Sequence, residues 1–273
     1  MVGKTGAVMV GQGNSGANYS TIFGLNSTSK TGGVAIGSYV QNTGTYAVAM
    51  GRSVQAAAGT AAMGIYVKTT GARSVSIGGG TSALPNVAAQ DAVSIGYSNI
   101  AGSKTVVIGK NNTMLAGTSS IPGITVGTDN TNNSKANIYG SNNSGNSYVS
   151  VYGSGQSGAS TSSTNTPSTA MVYGIGNTIT ANGGLAFGKQ NIVELNGLAF
   201  GSSNDVQKEG LAFGYDNEVN LGIGNGNTTH SIAFGRGNAS DTEAIALGRN
   251  NVATHGAIAI GNTVTATGAT GNQ

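Results

Sequence analysis

The chain repeats one short pattern eighteen times: a few alternating apolar and small residues, then a glycine. The motif glycines are Gly11, Gly24, Gly37, Gly51, Gly64, Gly78, Gly96, Gly109, Gly127, Gly140, Gly153, Gly174, Gly188, Gly201, Gly214, Gly235, Gly248 and Gly261. Most intervals between them span thirteen positions, as from Gly11 to Gly24. A few span fourteen, as from Gly37 to Gly51, and four are longer, from Gly78, Gly109, Gly153 and Gly214. A nearly fixed short period over most of the chain means stacked equivalent units, each contacting mainly its neighbours. Disorder is the other outcome that 47 glycines and only 8% charged residues would permit, and the periodicity argues against it.

One coil can be built from its residues. In Val34-Ala35-Ile36-Gly37, Val48-Ala49-Met50-Gly51 and Ile258-Ala259-Ile260-Gly261, strand alternation puts the first and third residues on one face and the middle residue on the other. The first and third are large and apolar, which predicts that they face the core. The glycine lets the chain turn at once. A second, weaker apolar position follows, as in Val54, Val67, Val206, Val219 and Val264. Two short strands and two turns therefore make one coil. So short a coil cannot form a three-sided β-helix, so the expected fold is an all-β solenoid, a flattened parallel roll. Seventeen steps of about 4.8 Å would give a body on the order of 80 Å long.

Stacking in register turns recurring residues into ladders. Asn stands three residues after the motif glycine at Asn14, Asn99, Asn112, Asn130, Asn143, Asn177, Asn191, Asn204, Asn217, Asn238 and Asn251, where its amide can bond along the axis and satisfy turn groups. The third motif position is aromatic in seven consecutive coils, from Tyr139, Tyr152 and Tyr173 through Phe187, Phe200, Phe213 and Phe234. These rings are expected to fill the core.

On this reading the middle residue points outward. It is Ala35, Ala49, Ala62, Ala186, Ala199, Ala212, Ala233, Ala246 or Ala259 in nine coils and is never charged. A solvent-facing strand would carry Lys, Glu or Thr, whereas small uncharged residues let another backbone approach. The stripe predicts obligate self-association in a closed ring of subunits. Charging it should break the assembly.

The formal net charge of +3 is unevenly spread, with +6 over residues 1–188 and −3 over 189–273. The bases are scattered, so a solvated surface is expected and no nucleic-acid partner. There is no Cys, hence no disulfide or thiolate metal site. No run reaches the roughly 18 apolar residues of a transmembrane helix. The first ten residues do not have the pattern of a signal peptide, and the chain is taken as a segment of a longer protein, a single roll over 1–273.

Gly33-Val34-Ala35-Ile36-Gly37-Ser38, Ser74-Val75-Ser76-Ile77-Gly78, Ala92-Val93-Ser94-Ile95-Gly96 and Ala257-Ile258-Ala259-Ile260-Gly261 resemble the head repeats of trimeric autotransporter adhesins of the YadA type. The resemblance covers about residues 7 to 268. It implies a left-handed parallel β-roll assembled as a homotrimer. Such a head stands on the outer surface of a Gram-negative bacterium, held in the outer membrane through parts not in this chain. The family's partners are host matrix proteins or cell-surface receptors: collagen, fibronectin, laminin or the CEACAM class. The Asn-Ser-Val-Ala-Ile-Gly-Ser form associated with collagen binding is absent, and residues 32–38 come closest. A trimeric phage tail-fibre-like segment and an ice-binding solenoid remain alternatives, the second hinted at by Thr263, Thr265 and Thr267.

Four long intervals place insertions near 79–92, 111–123, 154–169 and 222–230. Loops on a rigid scaffold commonly carry binding function, so Leu84, Asn86, Gln90, Asp91, Met114, Ile121, Asn225, Asn227 and His230 are candidate partner contacts. Enzymatic chemistry is not expected. The two histidines, His230 and His255, lie in different coils, and no nucleophile, base and orienting group can be assembled. No metal and no cofactor are implied.

Overall fold

The computed structural model describes residues 5–115, 123–133, 136–146, 149–158, 170–181, 183–219 and 230–268. The chain forms two compact units, residues 1–135 and 136–273. Among the described residues of each, nine long strands alternate in sequence with nine shorter ones. The long strands run from Val8–Val10 to Ile124–Thr128 in the first unit and from Asn137–Ser141 to Ile258–Asn262 in the second. No helix occurs among the described residues. Within each unit, neighbouring long strands pair in parallel, and neighbouring short strands do the same. The result is a parallel β-solenoid in which Leu185 pairs with Leu198 and Leu198 with Leu211, one regular coil apart each time.

Register follows the glycines. Gly24 lies opposite Gly37, and Gly188 opposite Gly201. The longer intervals keep the same match, as at Gly78–Gly96, Gly109–Gly127, Gly153–Gly174 and Gly214–Gly235. Insertions are therefore absorbed outside the strands. The chain does not turn at the glycine itself, since the strand continues one residue further, as in Val34–Ser38. The next residue then adopts a left-handed conformation, exemplified by Tyr39 at φ 56° and Ser203 at φ 57°. Glycine is required for another reason. Gly201 has φ 121°, and a Cβ there would overlap the carbonyl oxygen of Gly214 in the next coil. The ladder of glycines is a close approach of backbones.

The strand faces are reversed relative to the sequence expectation. Ala35, Ala49, Ala62, Ala186, Ala199, Ala212, Ala233, Ala246 and Ala259 are all 0% exposed within the single chain. They face the interior of the roll and cannot form an outward stripe. The larger middle residues Ile22, Val107, Ile138, Val151 and Val172 are buried beside them. The first and third motif residues face outward instead. The cause is volume. A short coil with tight turns encloses very little space, and close packing admits only what fits. Each coil directs about four side chains inward: the small residue before the motif (Ser20, Ala47, Ser74, Ala92 or Ala136), the middle residue, and the third and fifth residues after the glycine. The second apolar position thus spans two sites. Val54 and Val67 occupy the third residue after the glycine, and Val206 and Val219 the fifth, all buried; Val264 is only partly buried.

The asparagine ladder forms as expected, and its bonds explain why Asn is used. Asn204, 1% exposed, donates from Nδ2 to Asn191 Oδ1 at 2.9 Å, to the Phe200 carbonyl at 3.2 Å and to the Gly214 carbonyl at 3.1 Å. Its Oδ1 accepts from the Asn217 backbone N–H at 3.2 Å and from Asn217 Nδ2 at 2.9 Å. A single amide thus satisfies carbonyls of its own turn and of the next coil while capping a backbone N–H. Two members were missed in the sequence. Gln156 replaces Asn and accepts from the Asn177 backbone N–H at 3.0 Å. Asn86 lies beyond an insertion and accepts from the Asn99 backbone N–H at 3.0 Å. Truncation of one rung leaves buried donors and acceptors unpaired, so Asn204→Ala is expected to destabilise the second unit by about 2–4 kcal/mol. Chemical denaturation of the variant against the parent checks this.

Candidate binding surfaces

Each unit presents three kinds of surface: the outer face of the long-strand sheet, the outer face of the short-strand sheet, and the insertions.

The long-strand face is apolar in most coils, with Thr21, Asn137 and Ser150 as polar outward positions. In the first unit the paired outward positions run Val34/Ile36, Val48/Met50, Ala61/Met63, Val75/Ile77, Val93/Ile95 and Val106/Ile108. In the second they run Leu185/Phe187, Leu198/Phe200, Leu211/Phe213, Ile232/Phe234 and Ile245/Leu247. None of these side chains is fully buried, and Met50, Ile95, Ile108 and Phe234 are among the exposed ones. The aromatic ladder belongs to this face rather than to the core. Its seven rings stack at 4.6–5.0 Å between centroids, with interplanar angles of 3–18°. That spacing is the coil repeat, so the stacking follows from the parallel register. Burial and the neighbouring Tyr152 raise the pKa of the Tyr173 phenol. Charges flank the stripe on both sides, at Arg52, Lys110, Lys189, Arg236 and Arg249 directly after the glycine and at Arg73, Asp91, Lys104, Glu209 and Glu243 in the turns before the motif. Arg52 lies 5.5 Å over the Tyr66 ring, and Arg236 lies 5.5 Å over that of Tyr215.

A continuous apolar face along seven coils of each unit, about 30 Å at the strand spacing, is more than a soluble monomer ordinarily leaves in water. It is the feature the sequence reading sought in the alanines, displaced by one residue in each coil.

The short-strand face is mixed: Thr28, Gln41, Gln55 and Lys68 in the first unit and Thr178, Asp205 and Glu218 in the second are polar, whereas Ile100, Ile192 and Val252 are exposed apolar residues on it. Asp205 sits opposite Ile192 and Glu218 in register. Its partial burial raises its carboxyl pKa.

The candidate loop residues separate. Leu84 is exposed at the tip of the first insertion, and Gln90 is exposed at the following turn. Asp91 is engaged by Arg73, whose Nε and Nη2 donate to its two carboxylate oxygens at 2.6 and 2.9 Å. The guanidinium holds the Asp91 carboxyl below the usual carboxylate range. His230 is exposed, with Nε2 3.3 Å from Glu209 Oε2. Asn86 and Met114 are corrections: both are 0% exposed, one as a ladder rung and the other as core, so neither can meet a partner. Ile121, Asn225 and Asn227 lie outside the described residues.

The first insertion lies between a long strand and its ladder residue. The other three follow short strands, after Met114, Gly158 and Val219. The first insertion is held in place: Leu84 N–H donates to Thr81 Oγ1 at 2.9 Å, Thr81 N–H to the Leu84 carbonyl at 3.0 Å, and Ser98 Oγ to the same carbonyl at 2.9 Å. Among the described residues no group of three acids or histidines could hold a metal ion. No protein-family profile matches the chain, and no curated protein matches it in sequence.

Proposed function

We propose that this chain is the head of a bacterial surface adhesin of the trimeric autotransporter type. Three copies would pack their apolar long-strand faces together as left-handed rolls, leaving the mixed short-strand faces and the insertions outward to meet host matrix proteins or cell-surface receptors. The reading is non-enzymatic recognition, strengthened by presenting each weak site three times. The observation that carries it is the apolar long-strand face, which runs through seven successive coils in each unit and needs a partner of the same period. A second copy of the chain has that period. Support also comes from the Val-Ala-Ile-Gly repeats, whose kinship implies export to the outer membrane of a Gram-negative cell.

Light scattering after size exclusion tests the assembly. The expected mass is three times 26.8 kDa. Phe200→Glu combined with Phe213→Glu places two carboxylates in the face and should lower the mass to that of one chain, since buried unpaired charges cost several kcal/mol each. Binding to immobilised fibronectin, laminin, collagen and CEACAM-type receptors should fall with it by tenfold or more through lost avidity. A monodisperse monomer for the parent chain, or a trimer unaffected by both glutamates, would contradict the proposal.

A further inference from the structure

The first insertion creates a feature that the regular coils lack. It overhangs the two preceding coils and forms a half-open cavity of about 280 Å³ against the short-strand face of the first unit, lined by Ser53, Gln55, Tyr66, Lys68, Ser82 and Pro85. Ser53 and Tyr66 are the left-handed turn residues of successive coils, at φ 54° and 53°. Gln55 and Lys68 project from the short strands beside them, and Ser82 and Pro85 come from the insertion. Asn86, directly after Pro85, donates its backbone N–H to the Tyr66 carbonyl at 3.1 Å, which ties the overhang to the coil beneath.

We propose that this cavity binds a single acidic sugar ring, a pyranose bearing a carboxylate or a sulfate. Its volume is just below the roughly 300–1,000 Å³ of sites that take drug-sized ligands, so it suits one ring rather than a peptide or a nucleotide. The charge selects an anion: among the described residues the Lys68 ammonium has no carboxylate partner, and no acid lines the cavity. The Arg52 guanidinium over the Tyr66 ring adds a second positive charge nearby. The polar groups suit ring hydroxyls. Ser53 and Ser82 can each donate and accept, and Gln55, whose Nε2 is given to Gln41 Oε1 at 3.3 Å, keeps its own Oε1 as an acceptor. Tyr66 supplies an aromatic surface for the apolar edge of a sugar. The hydrogen bonds that fix the insertion reduce the ordering required on binding.

This inference deepens the surface-recognition reading by naming a ligand class, and its test is independent of adhesion. NMR or calorimetric titration of the intact protein would use methyl glucuronide, N-acetylneuraminate and glucosamine 6-sulfate, against neutral methyl glucoside and free sulfate. Methyl glucuronide, with about 14 non-hydrogen atoms, should at ordinary efficiency bind with Kd about 1 mM. Lys68→Glu, at an exposed position, should weaken binding at least tenfold, and Lys68→Gln less. Preference among the acidic sugars tells carboxylate from sulfate. Absent binding, equal affinity for the neutral glucoside, equal affinity for free sulfate, or indifference to Lys68→Glu would each overturn the proposal. Sugar binding that persists in a protein without adhesion to host cells supports the cavity and counts against the adhesin reading alone.

Discussion

Ala199→Asp is expected to abolish cooperative folding of the unit formed by residues 136–273, while Glu at the adjacent Phe200 leaves that fold in place. Ala199 has no exposed surface and packs in a cluster with Ala186, Val193, Val206 and Ala212. A carboxylate there has no hydrogen-bond partner and no room. Its burial costs several kcal/mol even after relaxation, and added volume in a filled interior costs about 1–3 kcal/mol more. That is comparable with the roughly 5–15 kcal/mol by which a typical domain is stable. Phe200 lies on the outer face, where a carboxylate keeps its water in the single chain. Thermal unfolding of both variants by circular dichroism, with their masses, distinguishes the two. A folded Ala199→Asp chain would restore the outward orientation of the alanines. Adjacent residues giving opposite outcomes would locate the inside of the roll by experiment.

Gly201→Ala is expected to be nearly as severe, by about 4 kcal/mol or more, the sum of a conformational and a steric cost. Holding a residue with a side chain at φ 121° costs on the order of 1–3 kcal/mol. The new methyl group would also overlap the Gly214 carbonyl oxygen, so two backbones would have to separate and weaken the parallel pairing between coils. Gly59→Ala is the internal control. Gly59 has φ 63°, and a Cβ there meets nothing within 4 Å, so only the conformational cost of about 1 kcal/mol remains. Urea midpoints of the two variants should differ by several-fold in their displacement from the parent. Equal displacement would mean that the glycine ladder reflects local conformation and not the approach of neighbouring coils.

Most of the architecture was legible in the sequence because period and alternation are set by backbone geometry. The spacing of Gly188, Gly201 and Gly214 identified the coil, and Asn191 and Asn204 marked a turn that most coils repeat. Which face points inward was not legible from apolarity. Leu198 and Phe200 are more apolar than Ala199, yet the space inside so short a coil admits only the alanine. Volume decided against hydrophobicity, a choice that becomes visible only when the coil is closed. Gln156 escaped because a longer amide does the work of Asn, and Asn86 because the insertion moved it out of step with Gly78. The cavity beside Lys68 was beyond a linear reading. Its walls come from two successive coils and from an insertion well separated from Ser53 in sequence, and only the folding of that insertion brings them together.

The asparagine ladder has a direction. Each rung offers its Oδ1 to the backbone of the following coil and its Nδ2 to that coil's carbonyl, as Asn191 does for Asn204 and Gly201 and Asn204 does for Asn217 and Gly214. Every interior coil of this kind therefore presents one fixed set of donors and acceptors to the coil before it and the complementary set to the coil after it. Such a coil is an interchangeable module: loss of residues 192–204 would bring Asn217 onto Asn191 with the bonding pattern intact. Growth or shortening by whole coils is then a change of copy number rather than of design, and a lineage using this fold can adjust its reach in steps of about 4.8 Å.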